Sequence, residues 1–364
     1  MQQKRSPNAA ERLFFFKCGA GLFLFFALIF FLLQNAKAAQ SGVAAGVRLC
    51  LQTLIPSMLP LLILSAFFQR SALGFAASKL LEAPTKLLFG VSGAGAGVFL
   101  FALLGGFPAG ASSIRAAVET RSLSRRDGKV LQLLCFCPSA AFTVGAVGTG
   151  MLGKTEIGLL LEASVLLPLF LLAIPLRFLY SADTVPPGQN RAFLSPAKAF
   201  IDAVEQGTKA MLSVCAFVCL FSALPPVLSA FPFSERVRVW ALALPELTGG
   251  MNSASKSLSL PALAALLSFG GFCAHCQLLP TLQFLHLSYL KFFLFRLCHA
   301  LLSAAACFVL CRLFPMLRPV FAQPGTALAP SSASSPAVSV CLCIMCALLL
   351  LGSSTITLEK QKKM

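Results

Sequence analysis

The sequence predicts an all-α polytopic membrane protein with about eight spans, two re-entrant hairpins and broken helices in an inverted repeat. The chain is 57% hydrophobic and 11% charged, with a mean hydropathy of +0.85, whereas a typical soluble domain is about 25% charged. Apolar runs of about 18 or more residues recur, and each is long enough to cross a bilayer as a helix. Glycine and proline interrupt several of these runs at matched places in two halves.

The net charge of +17 is attributed to the orientation of the chain in the membrane rather than to nucleic-acid binding. Lysine and arginine lie mostly between the apolar segments, where they set orientation by the positive-inside rule. The strongest cytoplasmic mark is a short basic loop, residues 121–129, within "IRAAVETRSLSRRDGK". We therefore expect an inner-membrane protein with both termini in the cytoplasm. The bilayer is its main partner, and nucleic-acid binding is not expected.

Residues 1–40 are predicted to form an N-terminal transmembrane helix. The segment has a basic start, a long apolar core and the small-residue sequence "AKA". A cleaved signal peptide has the same features, and cleavage would give a mature start at Ala39 or Gln40. Because the apolar core is long and further spans follow, we favour an uncleaved signal anchor.

Residues 41–180 form the predicted first repeat. It starts with a weakly amphipathic stretch that becomes an apolar span past Pro56. The next apolar run breaks at "GGFPAG", and the one after it breaks at "CPS". A plain span closes the repeat, although Glu162 lies within it.

A polar connector rich in turn formers, residues 181–197, separates the halves. Residues 198–315 then repeat the order of the first half, with one break in "TGGMN" and another in "SFGGF". Residues 316–364 are assigned to a loop rich in Pro, Ala and Ser and a C-terminal transmembrane helix. Such repeats with discontinuous helices are the best sequence indication of a transporter-like core. If each hairpin returns to the side of the membrane from which it entered, the positive-inside rule places the two hairpins on opposite faces.

The breaks carry the candidate site, because backbone groups freed in a bilayer must face protein or a wet cavity. The residues expected to shape the breaks are Gly105, Gly106, Pro108, Gly110, Pro138, Gly249, Gly250, Gly270 and Gly271. Polar side chains near the breaks are the candidates for contact with a small polar solute: Ser112, Ser139, Thr143, Glu246, Thr248, Asn252, His275 and Gln277. Acidic residues and histidines at membrane depth are functional candidates by default.

Structural roles remain alternatives for several of these residues. Glu246 has the position of a helix-start residue at the interface, and His275 has that of an interhelical histidine paired with a backbone carbonyl. The glycines would also suit close helix packing. The cysteines of "CFC" and "CAHC" could in principle bind metal, but four ligands with tetrahedral spacing are not evident. We expect no metal site and no cofactor.

The motifs "LLGGFPAGAS", "LCFCPSAAFTVGAVGTGMLG", "PELTGGMN" and "SFGGFCAHCQ" resemble the sporulation integral membrane protein YlbJ family, over roughly residues 40–315. That family belongs to a wider group with nucleoside recognition, or Gate, domains, and similar broken-helix repeats occur in concentrative nucleoside transporters. Gly106, Phe107, Pro108 and Gly110 match its G-Y/F-P-x-G motif. Where the family often has two asparagines, this chain has Cys137 and Pro138.

The resemblance implies a multi-pass membrane protein of endospore-forming bacteria that takes part in spore formation. The first hypothesis is a permease-like protein that moves a small polar solute. The second is a non-transporting scaffold for a spore-envelope assembly, formed with copies of itself or with other sporulation membrane proteins. An enzyme is not expected, because no catalytic constellation is visible.

Overall fold

A computed structural model describes residues 29–179, 195–229 and 231–315, together with a few residues between 19 and 27. Every regular element in these segments is helical. Most of the predicted N-terminal helix, the C-terminal helix and nearly all of the polar connector lie outside the described residues. The predicted boundary at residue 40 falls inside a continuous helix that begins at Ala36.

The helices of the first half follow the predicted order. They are α1 (Ala36–Leu49), the π-helix π1 (Cys50–Leu54), α2 (Ile55–Arg70), α3 (Ala72–Leu80), α4 (Glu82–Phe89), α5 (Ala94–Glu119), α6 (Arg125–Leu134), the π-helix π2 (Ala141–Met151) and α7 (Thr155–Leu179). The amphipathic stretch, π1 and the apolar span form one continuous helix of 35 residues, Ala36–Arg70.

The second half has fewer connecting helices. They are α8 (Pro196–Ser222), α9 (Leu224–Leu228), α10 (Glu235–Ala243), α11 (Leu247–Ser257), α12 (Leu260–Phe269), α13 (Gly271–Phe284) and α14 (Tyr289–Leu313).

Six helical segments in the described part of the chain are long and apolar enough to cross a membrane. They are Ala36–Arg70, Ala94–Glu119, Thr155–Phe178, Pro196–Leu228, Leu260–Phe284 and Tyr289–Leu313. Many large apolar side chains on these helices are exposed, as lipid-facing residues are. The chain is therefore an all-helical membrane protein in contact with the bilayer.

Several elements of the two halves match in length and order. α6 and α12 are both 10 residues long, and each follows a serine in extended conformation, Ser124 or Ser259. α7 and α14 are both 25 residues long. Each half thus has a long first span, a bent helix pair, a short helix ending at a break, a helix after the break and a long final span.

The first spans of the two halves run antiparallel over their whole length. Phe67 meets Phe200 near one end, with ring centroids 6.1 Å apart. Gly46, near the other end, packs on Cys219, where an added Cβ would lie 3.1 Å from Cα. As the residue number rises on one span it falls on the other, so the second half starts in the direction opposite to the first.

α5 is long enough to cross a membrane by length and composition alone, but it is interrupted at Gly106. Its two arms, which turn at Gly106, are called here the first hairpin. Gly106 has φ 72° and ψ −168°, which is not helical. A Cβ on Gly110 would lie 2.9 Å from the Cβ of Ala102, although residues eight apart in a straight helix are about 12 Å apart. The arms therefore fold back on each other, and Pro108 lies in the first turn of the second arm, where its missing N–H costs little.

The second hairpin consists of α10 and α11, joined at residues 244–246. An added Cβ on Gly250 would overlap the backbone of Ala243, so these arms also fold back closely. Gly249 and Gly250 were predicted to be the break, but both lie inside α11, and the chain turns just before them. Gly250 is a packing glycine, equivalent to Gly110 of the first hairpin.

Polar contacts gather several helix ends at one face of the molecule. Arg70 at the end of α2 pairs with Glu119 at the end of the first hairpin, with 3.4 Å between nitrogen and oxygen. Arg126 at the start of α6 donates to the carbonyl oxygen of Arg177 near the end of α7 at 3.2 Å. The first hairpin therefore opens at the face where α2 and α7 end and where α6 begins.

Candidate functional site

The tip of the first hairpin lies against the first break, residues 136–139 between α6 and π2. A Cβ on Gly106 would be 3.1 Å from the backbone nitrogen of Ser139 and 3.7 Å from the carbonyl oxygen of Cys137. Only glycine allows this approach at this positive φ. Pro138 lies within the break, in a segment without regular secondary structure.

The second break, Gly270 and Gly271, lies against the turn of the second hairpin. Both glycines have positive φ, 88° and 75°. The N–H groups of Phe272 and Cys273 donate to the carbonyl oxygens of Leu244 and Pro245 at 2.8 and 2.9 Å. The first N–H groups of α13 are therefore occupied by the hairpin, and this break is closed from within.

Phe136 connects the two breaks. An added Cβ on Gly270 would overlap the Phe136 ring, and that ring also stacks on Phe107 at the first hairpin tip, with centroids 5.0 Å apart. The four interruptions therefore meet in one region.

A fully buried arginine stabilises the first break. Arg296 of α14 is 0% exposed, and it donates to the carbonyl oxygens of Phe136 at 2.6 Å and Leu133 at 2.7 Å. Its guanidinium also lies over the rings of Phe136 and Phe295, at 5.2 and 4.9 Å. A cation at the C-terminal end of α6 complements the helix dipole and satisfies carbonyls freed by the break.

Glu246 is the cap of α11. Its two carboxylate oxygens accept hydrogen bonds from the N–H groups of Thr248 at 2.8 Å and Gly249 at 2.6 Å. The residue is 4% exposed. This is the helix-start arrangement that the sequence left open as the alternative to a solute contact.

His275 is held by two hydrogen bonds inside an aromatic cluster. Its Nε2 lies 2.9 Å from the carbonyl oxygen of Phe269, and its Nδ1 lies 3.2 Å from the Tyr289 hydroxyl. Phe136 and Phe292 pack edge-on against the imidazole. Both ring nitrogens are thus engaged, which matches the alternative of a satisfied interhelical histidine.

The first half presents polar atoms that have no protein partner. Ser112 on the second arm of the first hairpin and Thr143 on π2 are buried, and neither hydroxyl makes a hydrogen bond among the described residues. Ser139 is half-buried, and its hydroxyl accepts from the N–H of Phe142 at 3.2 Å, which caps π2. Ser139 lies beside Gly106, and Thr143 follows one turn later, where its N–H donates to the carbonyl oxygen of Ser139 at 2.9 Å. Ser112 lies near α8, where its carbonyl accepts from Gln206.

The remaining predicted residues of the second half are dispersed. Thr248 is half-buried at the start of α11, and Asn252 is exposed one turn further on. Gln277 donates to the sulfur of Cys273 at 3.2 Å, and its carbonyl oxygen has no partner among the described residues. No group of three or more His, Cys, Asp or Glu side chains in the described segments could hold a metal ion.

The sequence reasoning missed two buried polar residues on α14, Arg296 and His299. His299 is 0% exposed, and its Nε2 lies 2.9 Å from the carbonyl oxygen of Val165 on α7. The rule applied to Glu246 and His275, that ionisable residues at membrane depth are candidates, would have found both. Glu162, noted only as an oddity in its span, is 8% exposed and has an unpartnered carboxylate oxygen.

Comparison with known proteins confirms the resemblance. The chain is similar to the sporulation integral membrane protein YlbJ of Bacillus subtilis (strain 168). The two are 23% identical over 328 residues, a match that covers 78% of this chain and 80% of that protein. No family model matches the chain, and no solved structure does.

Proposed function

We propose that this protein is a multi-pass membrane protein of sporulation whose core moves a small polar solute past the first break. The sporulation role follows from the similarity to YlbJ. The observation that carries the transport role is the meeting of both hairpin turns with both breaks, at Gly106 and Ser139 and at Leu244 and Gly271. Discontinuous helices that meet in the middle of a bundle are the usual site of solute binding in such folds.

The proposed arrangement in the membrane is an inverted repeat. In the first half the proposed crossings are Ala36–Arg70, α6 together with π2, and α7, and in the second half they are α8, α12 together with α13, and α14. Each half adds one re-entrant hairpin, and a helix at each end of the chain brings the number of spans to eight. The antiparallel first spans support it, as do the reversals at Gly106 and at residues 244–246. An odd number of crossings per half places the hairpins on opposite faces. The basic loop after the first hairpin assigns that hairpin, and both termini, to the cytoplasmic side of the inner membrane.

The solute site is assigned to the first half. At the second break the helix-start N–H groups donate to Leu244 and Pro245, and Glu246 caps α11. At the first break the hydroxyl of Thr143 is buried beside the carboxylate of Glu162, and it meets the geometric criteria for a hydrogen bond with no group among the described residues. A buried polar group without a partner costs free energy unless a ligand or water satisfies it. Ser139 and Thr143 are therefore the proposed solute contacts.

A scaffold for a spore-envelope assembly is the second candidate, and one observation favours it. Three ionisable residues near the breaks, Glu246, His275 and Arg296, have structural partners. A scaffold would keep the fold without a working site, and it would bind copies of itself or other sporulation membrane proteins.

Uptake into proteoliposomes separates the two functions. The full chain is reconstituted and offered a panel of radiolabelled nucleosides, amino acids and sugars, with protein-free liposomes as the blank. Transport predicts uptake of one solute class, and a reduction of about tenfold in the Thr143→Val variant, the equivalent of one lost hydrogen bond to a polar ligand.

The matched control is Gly145→Ala on the same π-helix, since an added Cβ there meets nothing within 4 Å. Spore yield is measured in parallel in a spore-forming host that carries each variant. If no solute enters and Thr143→Val and Ser139→Ala both leave spore yield unchanged, the scaffold function is the correct one.

A further inference from the structure

The contact between π2 and α7 brings two unsatisfied oxygen-bearing side chains together beside the first break. Gly148 of π2 and Gly158 of α7 pack backbone to backbone, because a Cβ on either would overlap the other helix. In a π-helix residues five apart share a face, so Thr143 lies on the same face as Gly148. One α-helical turn beyond Gly158, on the same face of α7, is Glu162.

The side chains of Thr143 and Glu162 therefore face each other across this interface. Thr143 is 0% exposed and Glu162 is 8% exposed. The Thr143 hydroxyl and one carboxylate oxygen of Glu162 make no hydrogen bond in the described part of the chain. The thiol of Cys137, in the first break, is also near the carboxyl of Glu162.

No cation among the described residues forms an ion pair with this carboxylate. Glu162 takes part in none of the ion pairs among the described residues. The buried titratable side chains on α14 are Arg296, His299 and Cys307, and those at the break are Cys135 and Cys137. The helices α4 and α6 also pack on α7, and they carry Glu82, Lys86, Arg125, Arg126, Asp127 and Lys129. His299 is engaged with Val165 through Nε2, and Arg296 with the break carbonyls through its two terminal nitrogens, while His299 Nδ1 and Arg296 Nε make no hydrogen bond among the described residues. π2 and α12 carry no titratable residue.

The matching final spans of the two halves allow Glu162 to be compared with Arg296. Counted from the first residue of each final span, Glu162 of α7 occupies the position that Arg296 occupies on α14. Both residues approach the first break. Both terminal nitrogens of the arginine donate to carbonyl oxygens, and only its Nε makes no hydrogen bond among the described residues. The glutamate forms no ion pair there and has an unused oxygen beside the Thr143 hydroxyl. An isolated carboxylate out of water is costly, and a bound cation removes that cost.

We propose that Glu162 and Thr143 form a binding site for one small monovalent cation, a proton or a sodium ion, beside the first break. Its role in driving solute movement rests on the proposed transport function, but the binding itself does not. The carboxylate supplies the charge, and the Thr143 hydroxyl supplies a second oxygen ligand for sodium or a hydrogen-bond partner for the protonated acid.

The test is thermal unfolding of the purified full chain in detergent, followed by circular dichroism. NaCl is raised from about 1 to about 100 mM while N-methyl-D-glucamine chloride keeps the ionic strength constant, and the series is repeated at several pH values. A site on the native state predicts a rise in Tm of several degrees with sodium, or with protons, that saturates. A sodium response at fixed pH identifies sodium, and a pH response without one identifies the proton.

The key variant is Glu162→Gln, which keeps the shape and removes the charge. It should lose the sodium response, or the part of the pH response that is due to Glu162. Glu156→Gln, at an exposed position of the same helix, should respond as the wild type does. Thr143→Val should raise the half-maximal sodium concentration about tenfold or abolish the Glu162-dependent pH response. Thr143→Ser should retain the wild-type responses to sodium and to pH. The comparison of Thr143→Val with Thr143→Ser therefore decides the test if Glu162→Gln does not fold.

The proposal is overturned if sodium leaves the wild-type Tm unchanged and Glu162→Gln has the same pH profile as the wild type. Its failure is distinguishable from failure of the transport function. If cations raise the Tm but no solute is taken up, the transport proposal is wrong and the cation-site proposal stands. If solute is taken up but cations do not change the Tm, the cation-site proposal is wrong and the transport proposal stands.

Discussion

The guanidinium of Arg296 donates to the carbonyl oxygen of Phe136 at 2.6 Å, across 160 residues of sequence and between the two halves of the protein. Its second terminal nitrogen donates to Leu133. α14 thereby fixes the point where α6 ends and the first break begins. Without this arginine two buried carbonyl oxygens would lose their donors.

Replacing Arg296 with methionine should lower the free energy of unfolding by about 3 kcal/mol, because each unsatisfied buried carbonyl costs about 1–3 kcal/mol. Arg312→Met is the matched control: Arg312 is exposed near the end of the same helix. Unfolding of both variants is followed in mixed micelles. Equal stabilities would show that Arg296 does not hold the break.

Gly106→Ala should destabilise the first hairpin by about 1–3 kcal/mol. The backbone at Gly106, φ 72° and ψ −168°, lies in a region that only glycine adopts without strain. An added Cβ would also approach the Ser139 nitrogen at 3.1 Å. Thermal unfolding beside Gly145→Ala measures the difference, and a Gly106 variant as stable as its control would place the turn elsewhere.

Gly250→Ala should be more destabilising than Gly249→Ala by about 2 kcal/mol or more. A Cβ at Gly250 overlaps the backbone of Ala243, and backbone cannot move aside as a flexible side chain does. Gly249 is exposed, and a Cβ there meets only a Glu246 oxygen at 3.1 Å. If the two variants have the same free energy of unfolding, α10 and α11 are not closely packed.

Glu246→Ala should cost about 1 kcal/mol of stability, the usual effect of losing a helix cap. Glu246→Asp should recover most of it, because a shorter acid still accepts from the helix-start N–H groups. Uptake by the Asp variant gives the second readout. A cap predicts near-normal transport once the helix is restored, whereas a direct solute contact predicts that transport stays low.

The all-helical class and the series of apolar segments could be predicted from the sequence. Glycine and proline interruptions in apolar runs mark where helices stop, and the described helices are interrupted at Gly106, at residues 136–139 and at Gly270. The sequence interpretation put the turn of the second hairpin at Gly249 and Gly250, because this Gly-Gly pair matches the pair Gly105 and Gly106 of the first half. In this protein the turn is made at residues 244–246, with Glu246 as the cap.

The roles of individual polar residues were harder to predict. A histidine in an apolar run has the same sequence signal whether it binds a solute or a backbone carbonyl, and only the 2.9 Å contact with Phe269 distinguishes them for His275. The pairing of Thr143 with Glu162 depends on π-helical periodicity, which shifts the face of π2 relative to an α-helix. The charge on Arg296 is matched by carbonyl oxygens from the other half, which no local pattern reveals.

Side-specific labelling tests the inverted repeat most directly. Single cysteines replace Arg125, after the first hairpin, and Lys256, near the end of the second, both of which are exposed. A membrane-impermeant maleimide is applied to intact and to permeabilised cells, with the parent protein as the blank. The account predicts that Lys256→Cys reacts in intact cells and that Arg125→Cys reacts only after permeabilisation. Reaction of both from the same side would contradict it.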